Sequence, residues 1–504
     1  MLFSFVKFAT LLLLQGCIFF LPLSGFASDY SRKAVEKHIL RFEFDTALKL
    51  LSECPDPYAK AYYINHIHFF RVLATDDQGY KNRFYQSCDQ SFQVFDKMPK
   101  SNAYKKYYQA EVYFLRGVVY FLSKKYVAAG LDLNASYSRI KSNMSDHPEL
   151  RANYKLMGLY EAGLSAIPGK YQYITNLLGF KGDLMKGMEK MRIAARTSEI
   201  FPQEAEMLSC YAERKLMDNT DQSLSCMRSM YKKEPDNILY AFFLGNIAVN
   251  NRRSAEALIC LNNLEQWKNN KQVFYIQFLD YLRGKALFYQ LNYTEALKDL
   301  NHFITHYNGF NFKGDALFKR ALIYELKGDH ETARTLFLEI AQLEKNDFDL
   351  DNYAIRYAPL YAEKPFTRDE ANLQKARNLF DGGFFDDAVK VLLPMLKHHS
   401  ELSDETLLEL NYRMGRVHQE QNKLPQAKLY YQIAMGNKTD TKNPAFWMKV
   451  YSVYHLGGIW EDEGNASEAT RYYKMALGYK DYLYQNDLEQ MAKAGVERMK
   501  PGKK

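Results

Sequence analysis

Cysteine is scarce in this chain: six residues in 504, with neither a CxxC pair nor metal-ligand spacing. That pattern excludes a zinc ribbon and a dense disulfide framework. Once Cys17 leaves with a leader, the odd remainder (Cys54, Cys88, Cys210, Cys226 and Cys260) has room for one bridge in an oxidising compartment. Most of these are expected as small buried hydrophobes. The usual catalytic signatures are missing too, since no Walker-type loop, GxGxxG, GxSxG elbow or HExxH occurs. Nor is there a dominant charge. The 67 basic and 59 acidic residues leave a net +8 without any basic stripe, concentrated only at Lys500, Lys503 and Lys504. Nucleic acid is therefore not an expected partner.

The remaining candidates for chemistry read as structural. His302 and His306 stand four apart on a helix, a spacing that can hold a metal, but they lack an adjoining glutamate. His66 and His68 point away from each other, and His398-His399 suits a helix end. Asp386 and Asp387 beside Gly382-Gly383 read as turn residues, and no pair of carboxylates is nominated for glycan hydrolysis. No catalytic residue, metal ligand or cofactor is assigned, and a non-enzyme is expected.

Aromatic residues are abundant, with 39 tyrosines and 33 phenylalanines. They suit helix-on-helix interfaces or an aromatic groove. At 504 residues, 47% hydrophobic and 25% charged, the chain is globular but too long for one core, so several domains or a repeat array are implied. Residues 1–27 read as a signal peptide. Lys7 precedes an apolar run from Phe8 to Phe26, and Gly25 and Ala27 hold the positions before a cleavage at Ser28. Nested inside, Leu14-Gln15-Gly16-Cys17 resembles a lipoprotein box, which leaves membrane association through a lipidated Cys17 as an alternative.

A repeat emerges when small residues are aligned. Gly457, Trp460, Ala469, Tyr473 and Ala476 keep the offsets of Gly415, His418, Ala427, Tyr431 and Ala434. Upstream come Ala376 and Ala388, Ala321 and Ala333, Gly284 and Ala296, Gly245 and Ala257, and Gly117 and Ala129. Each copy reads as two amphipathic helices, A and B, joined by a short turn such as Lys327-Gly328-Asp329 or Glu463-Gly464-Asn465. Small residues mark the tight A–B crossing, and the larger residue four past the helix-B alanine fills the interior.

These offsets resemble the tetratricopeptide repeat. The resemblance implies an all-α solenoid of helical hairpins, wound as a right-handed superhelix and offering a concave surface. Met157-Gly158-Leu159-Tyr160, Leu164-Ser165-Ala166-Ile167-Pro168 and Leu178-Gly179-Phe180-Lys181-Gly182-Asp183, followed by Gly187 and Met191, resemble more narrowly the tetratricopeptide repeat protein 39 family, its fungal outer-membrane relatives and bacterial exported repeat proteins. Pro168-Gly169 is expected to stop a helix and Asp183 to cap the next.

The organisation expected is a signal peptide at 1–27, divergent helical repeats with the signature segment at 28–200 and a repeat array at 201–342. A linker carrying a short helix follows at 343–368, then a second array at 369–478 and a capping helix with a basic tail at 479–504.

On the concave side the helix-A offsets nominate a partner-binding groove. Its residues are Tyr281, Lys285 and Phe288; Phe318 and Glu325; Leu373, Arg377 and Phe380; Tyr412, Arg416 and Gln419; Tyr454 and Glu461. Aromatic, cationic and amide groups alternate there, as suits an extended peptide or helix. Wedging of the same residues between neighbouring helices is the other explanation. The function expected is an exported scaffold, periplasmic or envelope-associated, with a protein or peptide partner. The alternatives are an outer-membrane lipoprotein that captures a glycan or other ligand, and a cell-wall hydrolase.

Overall fold

The computed structural model describes residues 29–165, 182–346 and 348–500. The leader with Cys17, the Ala166–Lys181 part of the signature segment, and Lys503 and Lys504 lie outside the described residues. Among the described residues every regular element is a helix and no strand occurs.

Local chemistry explains where the helices begin. Asp56 accepts from the amides of Tyr58 and Ala59, with Pro57 supplying the preset first turn. Thr367 and Glu370 form a reciprocal capping box. Asp183 caps helix Leu184–Thr197 through the Lys186 amide, and Asn465 caps Ala466–Gly478 through that of Glu468.

The turn between paired helices is equally regular. Seven residues after the small residue of helix A, the backbone passes through the left-handed region. The residues there are Lys124, Arg252, Leu291, Gly328, Gly383, Asn422 and Gly464, with φ between 56° and 87°. One left-handed residue reverses the chain after the last helical turn and frees the next residue to cap helix B.

The pairs close where the small residues recur. A Cβ added at Gly117 would lie 3.1 Å from Leu133, one at Gly245 3.2 Å from Leu261, one at Gly415 2.6 Å from Tyr431 and one at Gly457 2.8 Å from Tyr473. In every case the residue met lies sixteen positions on, in helix B or, for Leu261, just past its end. The helix-B alanines 129, 257, 296, 333, 388, 427 and 469 are buried as well. In the signature segment the approach is closer still. A Cβ on Gly187 would stand 2.4 Å from the Ala162 backbone nitrogen and one on Gly158 2.7 Å from the Gly187 carbonyl.

The chain divides into two compact units. One holds the residues up to Asn251 with Glu256–Arg283 and Asp299–Lys313; the other holds Arg252–Ala255, Gly284–Lys298 and the residues from Gly314 onward. The first unit buries large aromatic residues, among them Tyr62, Tyr63, Phe69 and Phe70. Three of its helix pairs are cross-linked at one register, again sixteen residues apart. Arg116 pairs with Asp132 at 2.6 and 3.0 Å, Arg283 pairs with Asp299 at 2.6 Å through both nitrogens, and Cys210 is bridged to Cys226. Cys54, Cys88 and Cys260 are free thiols.

In the second unit helix Asp349–Ala362 packs beside Lys313–Leu326, where buried Asp351 accepts from the Asp315 amide at 2.8 Å. The unit ends in helix Gln485–Arg498, which buries Leu488, Ala492 and Gly495. No helix among the described residues is long and apolar enough to cross a membrane.

Candidate functional site

Within the second unit, helices Phe278–Tyr289 (by its last turns), Lys313–Leu326, Asp349–Ala362 and Arg368–Gly382 surround a cavity of about 850 Å³, with residues 482–487 at its edge. Its volume is in the range of ligand pockets.

Tyr353 and Tyr357 stand one helical turn apart and stack at 4.2 Å between centroids, forming one wall. Arg377 Nη1 donates to Tyr353 Oη at 2.6 Å, and the guanidinium lies 5.1 Å from that ring. On the same helix Gln374 Nε2 donates to Asn378 Oδ1 at 2.8 Å. Lys319 Nζ donates to both oxygens of Asp315, at 2.6 and 2.7 Å, and the ammonium lies 5.8 Å from the rings of Phe288 and Tyr289. The hydroxyls of Tyr357 and Tyr484 meet at 2.9 Å.

Burial shapes the electrostatics. It works to discharge Arg377, but Tyr353, Asp381 and Tyr361 outweigh it and hold the guanidinium above its ordinary range. Behind the Lys319–Asp315 pair, Lys285 is pushed down to about 8, by burial first and by Lys319 second. The Tyr357 phenol is raised by burial and then by its bond to Tyr484.

The helix-A residues nominated from the sequence fall into several surroundings. Phe288, Phe318 and Arg377 line the cavity. Phe380, buried, lies near two guanidiniums, Arg252 at 4.7 Å and Arg416 at 5.0 Å, both of which also meet Glu420, and Arg416 Nη1 reaches Tyr412 Oη at 3.4 Å. Leu373 is buried against Leu392 and Met395. Gln419 accepts from the Tyr431 hydroxyl at 2.7 Å, and Glu325 accepts from the Phe366 amide at 2.6 Å. Glu461 pairs with Arg498, which holds its carboxyl below the usual carboxylate range, and accepts from Tyr473 Oη, while Tyr454 packs on the Tyr473 ring. Tyr281, in the first unit, is buried between Phe303 and Phe312.

The tyrosines at 353, 357, 482 and 484 were not nominated. They lie in the interval between repeat runs and in the C-terminal tail, where no repeat offset points at them. Their clustering as Tyr-x3-Tyr and Tyr-x-Tyr is the signal that could have found them.

In the first unit, His302 Nδ1 lies 2.9 Å from Asp280 and His306 Nδ1 bonds the His302 carbonyl, with the rings stacked at 4.1 Å. Among the described residues no group of three or more His, Cys, Asp or Glu side chains is placed to hold a metal ion.

Comparison with known protein families matches residues 281–347 to the family described as Tetratricopeptide repeat. No curated protein sequence matches the chain. Among solved structures the chain is similar to the P58(IPK) TPR domain, at 14% identity over 88% of this chain and 100% of that one, TM-score 0.22. It is also similar to the Cut9–Hcn1 APC/C hetero-tetramer, at 12% identity over 99% and 98%, TM-score 0.27. A human IFIT1 dimer with m7Gppp-AAAA is similar at 15% identity over 77% and 94%, TM-score 0.28.

Proposed function

We propose that this tetratricopeptide-repeat protein is an exported, non-enzymatic scaffold that holds protein partners on the exposed faces of its A helices. The observation that carries the reading is the belt of aromatic and cationic side chains in the second unit. Phe380 lies beside both Arg252 and Arg416, Tyr412 adjoins Arg416, and the Arg416 side chain retains about a fifth of its exposure. Phe380 and Tyr412 are themselves buried, and both guanidiniums meet Glu420, so what the belt offers a partner is the exposed part of Arg416 and Glu420, held rigid from beneath at little entropic cost on binding. Export is supported by the leader pattern of residues 1–27 and by the Cys210–Cys226 bridge, since such bonds persist in oxidising compartments. The narrower kinship with the tetratricopeptide repeat protein 39 family rests on the 157–191 segment, where Gly158 and Gly187 bring two helix backbones into contact.

In a second reading, an envelope lipoprotein captures a glycan or other ligand: the lining of the 850 Å³ cavity supports the capture, and the Leu14-Gln15-Gly16-Cys17 pattern the anchor. The protein-partner reading is tested by affinity capture from cell envelope with the intact chain and with Arg416→Glu, circular dichroism and melting serving as fold controls. Loss of a partner from a folded variant is expected. Equal retention by both proteins refutes binding through this belt.

A further inference from the structure

The cavity of the second unit has a lining unlike an ordinary peptide groove. Aliphatic side chains are few, only Leu322, Leu350 and Leu483, so pockets for apolar peptide side chains are poorly provided. Aromatic plates and planar polar groups make up most of the wall: tyrosines, phenylalanines, carboxamides, carboxylates and two arginines. Charge nearly cancels. Lys319, Arg356 and Arg377 face Asp315, Asp349, Asp381 and Asp487, and Lys319 is already closed on Asp315. A strongly anionic or cationic ligand therefore gains little here.

The polar groups are arranged to meet a ligand that both donates and accepts. Arg377 and Asp381 lie one helical turn apart with Nε 3.9 Å from the carboxylate, too far for a hydrogen bond, so donor and acceptor stand side by side. Asn378 is 1% exposed, its Oδ1 taken by Gln374 and its side chain in hydrogen-bonding reach of the Tyr293 hydroxyl. The plates beside these groups are fixed in advance, Tyr353 by Arg377 and Tyr357 by Tyr484. Tyr484 is itself delivered to the rim by a strained segment in which Asp481 and Tyr484 take φ of 59° and 65°.

A neutral molecule with flat C–H faces and rows of hydroxyls satisfies all of these features at once. We propose that the cavity is a binding site for a neutral oligosaccharide, packed against the wall that the stacked Tyr353 and Tyr357 form, with neighbouring hydroxyls shared between Arg377 and Asp381. This rests on the second reading of the function but not on lipidation at Cys17, and the site stands apart from the Arg416 belt.

Trp447, whose ring lies 5.5 Å from that of Tyr484, supplies a reporter. The purified full chain is titrated with maltohexaose, cellohexaose and chitohexaose, following tryptophan fluorescence and calorimetry. Saturable binding of at least one, insensitive to salt, is expected. Tyr353→Ala is expected to weaken it about tenfold or more, the equivalent of one good contact. Asp381→Asn, at a half-buried carboxylate, provides a second variant that preserves shape and is expected to weaken binding in the same direction. Arg416→Glu leaves sugar affinity unchanged while disrupting the protein partner, which separates failure of one reading from failure of the other. Absence of saturable binding by all three sugars, affinity indifferent to both cavity substitutions, or displacement of a bound peptide instead of a sugar by those substitutions overturns the proposal.

Discussion

The ring of Tyr473 occupies the space that a side chain at Gly495 would need: a Cβ there would stand 2.5 Å from its Cε2 atom. The same ring lies against Gly457 on its other side. One tyrosine thus ties the last repeat pair to the closing helix. Gly495→Leu is expected to destabilise the second unit by about 1–3 kcal/mol, the usual cost of overpacking. The effect is read as a lower melting temperature and as earlier proteolysis after Tyr479. An unchanged digestion pattern contradicts this contact.

The same crossings can be tested from the helix-B side. Ala427 and Ala469 are fully buried, so leucine at either is expected to lower stability by about 1–3 kcal/mol. Helical signal on circular dichroism should persist below the transition. A variant that melts with the wild type places no tight crossing at that alanine.

Glycines of another kind separate conformational strain from packing. A Cβ at Gly464 meets nothing within 4 Å, yet its φ is 77°. Gly464→Ala is therefore expected to cost about 1–2 kcal/mol through backbone strain alone. Gly130, exposed within helix Tyr126–Asp146 and equally free of neighbours, has the ordinary helical backbone. Gly130→Ala is expected to stabilise by about 0.5–1 kcal/mol. Chemical denaturation of the two variants should move in opposite directions.

Those glycines also mark how far the fold is legible in the sequence. Helix pairing is readable because Gly and Ala recur at offsets that only close crossings require. The left-handed turn is visible where Gly328, Gly383 and Gly464 hold it, and at Asn422, a residue type that tolerates it, but Lys124, Arg252 and Leu291 adopt the same conformation without any sign in their residue type. Tertiary packing of the two helices imposes the turn and overrides the local preference. The cavity is less legible. Repeat offsets reach Phe288, Phe318 and Arg377, whereas Tyr353, Tyr357 and Tyr484 come from segments outside the offsets and join them only by folding.

The bridge in the first unit predicts a dependence on redox state. Cys210 and Cys226 occupy the register that Arg116–Asp132 and Arg283–Asp299 fill in other pairs, and their Cα atoms are 5.6 Å apart. Protein prepared without reductant is expected to show these two peptides linked by mass spectrometry. Serine at both positions is expected to cost about 3 kcal/mol, the chain-entropy value for a loop of roughly 15 residues. Detection of both free thiols in the native protein would falsify the assignment.

Lys285 supplies a prediction in pH. Burial, and then Lys319, pushes its ammonium down to about 8, with Asp315 and Asp381 pulling the other way. In the unfolded chain the same group titrates near about 10.4. Between these values the unfolded state holds the extra proton, so the contribution of Lys285 to stability rises with pH and is least favourable below about 8. Tyrosines and thiols titrate over part of the same range, which makes the informative quantity the difference between wild type and Lys285→Met at each pH. From about pH 8 to about pH 10 that difference is expected to shift in favour of wild type by about 2 kcal/mol, read from urea denaturation. A flat difference would mean that the ammonium stays solvated, and with it that the wall behind Lys319 and Asp315 is open to water.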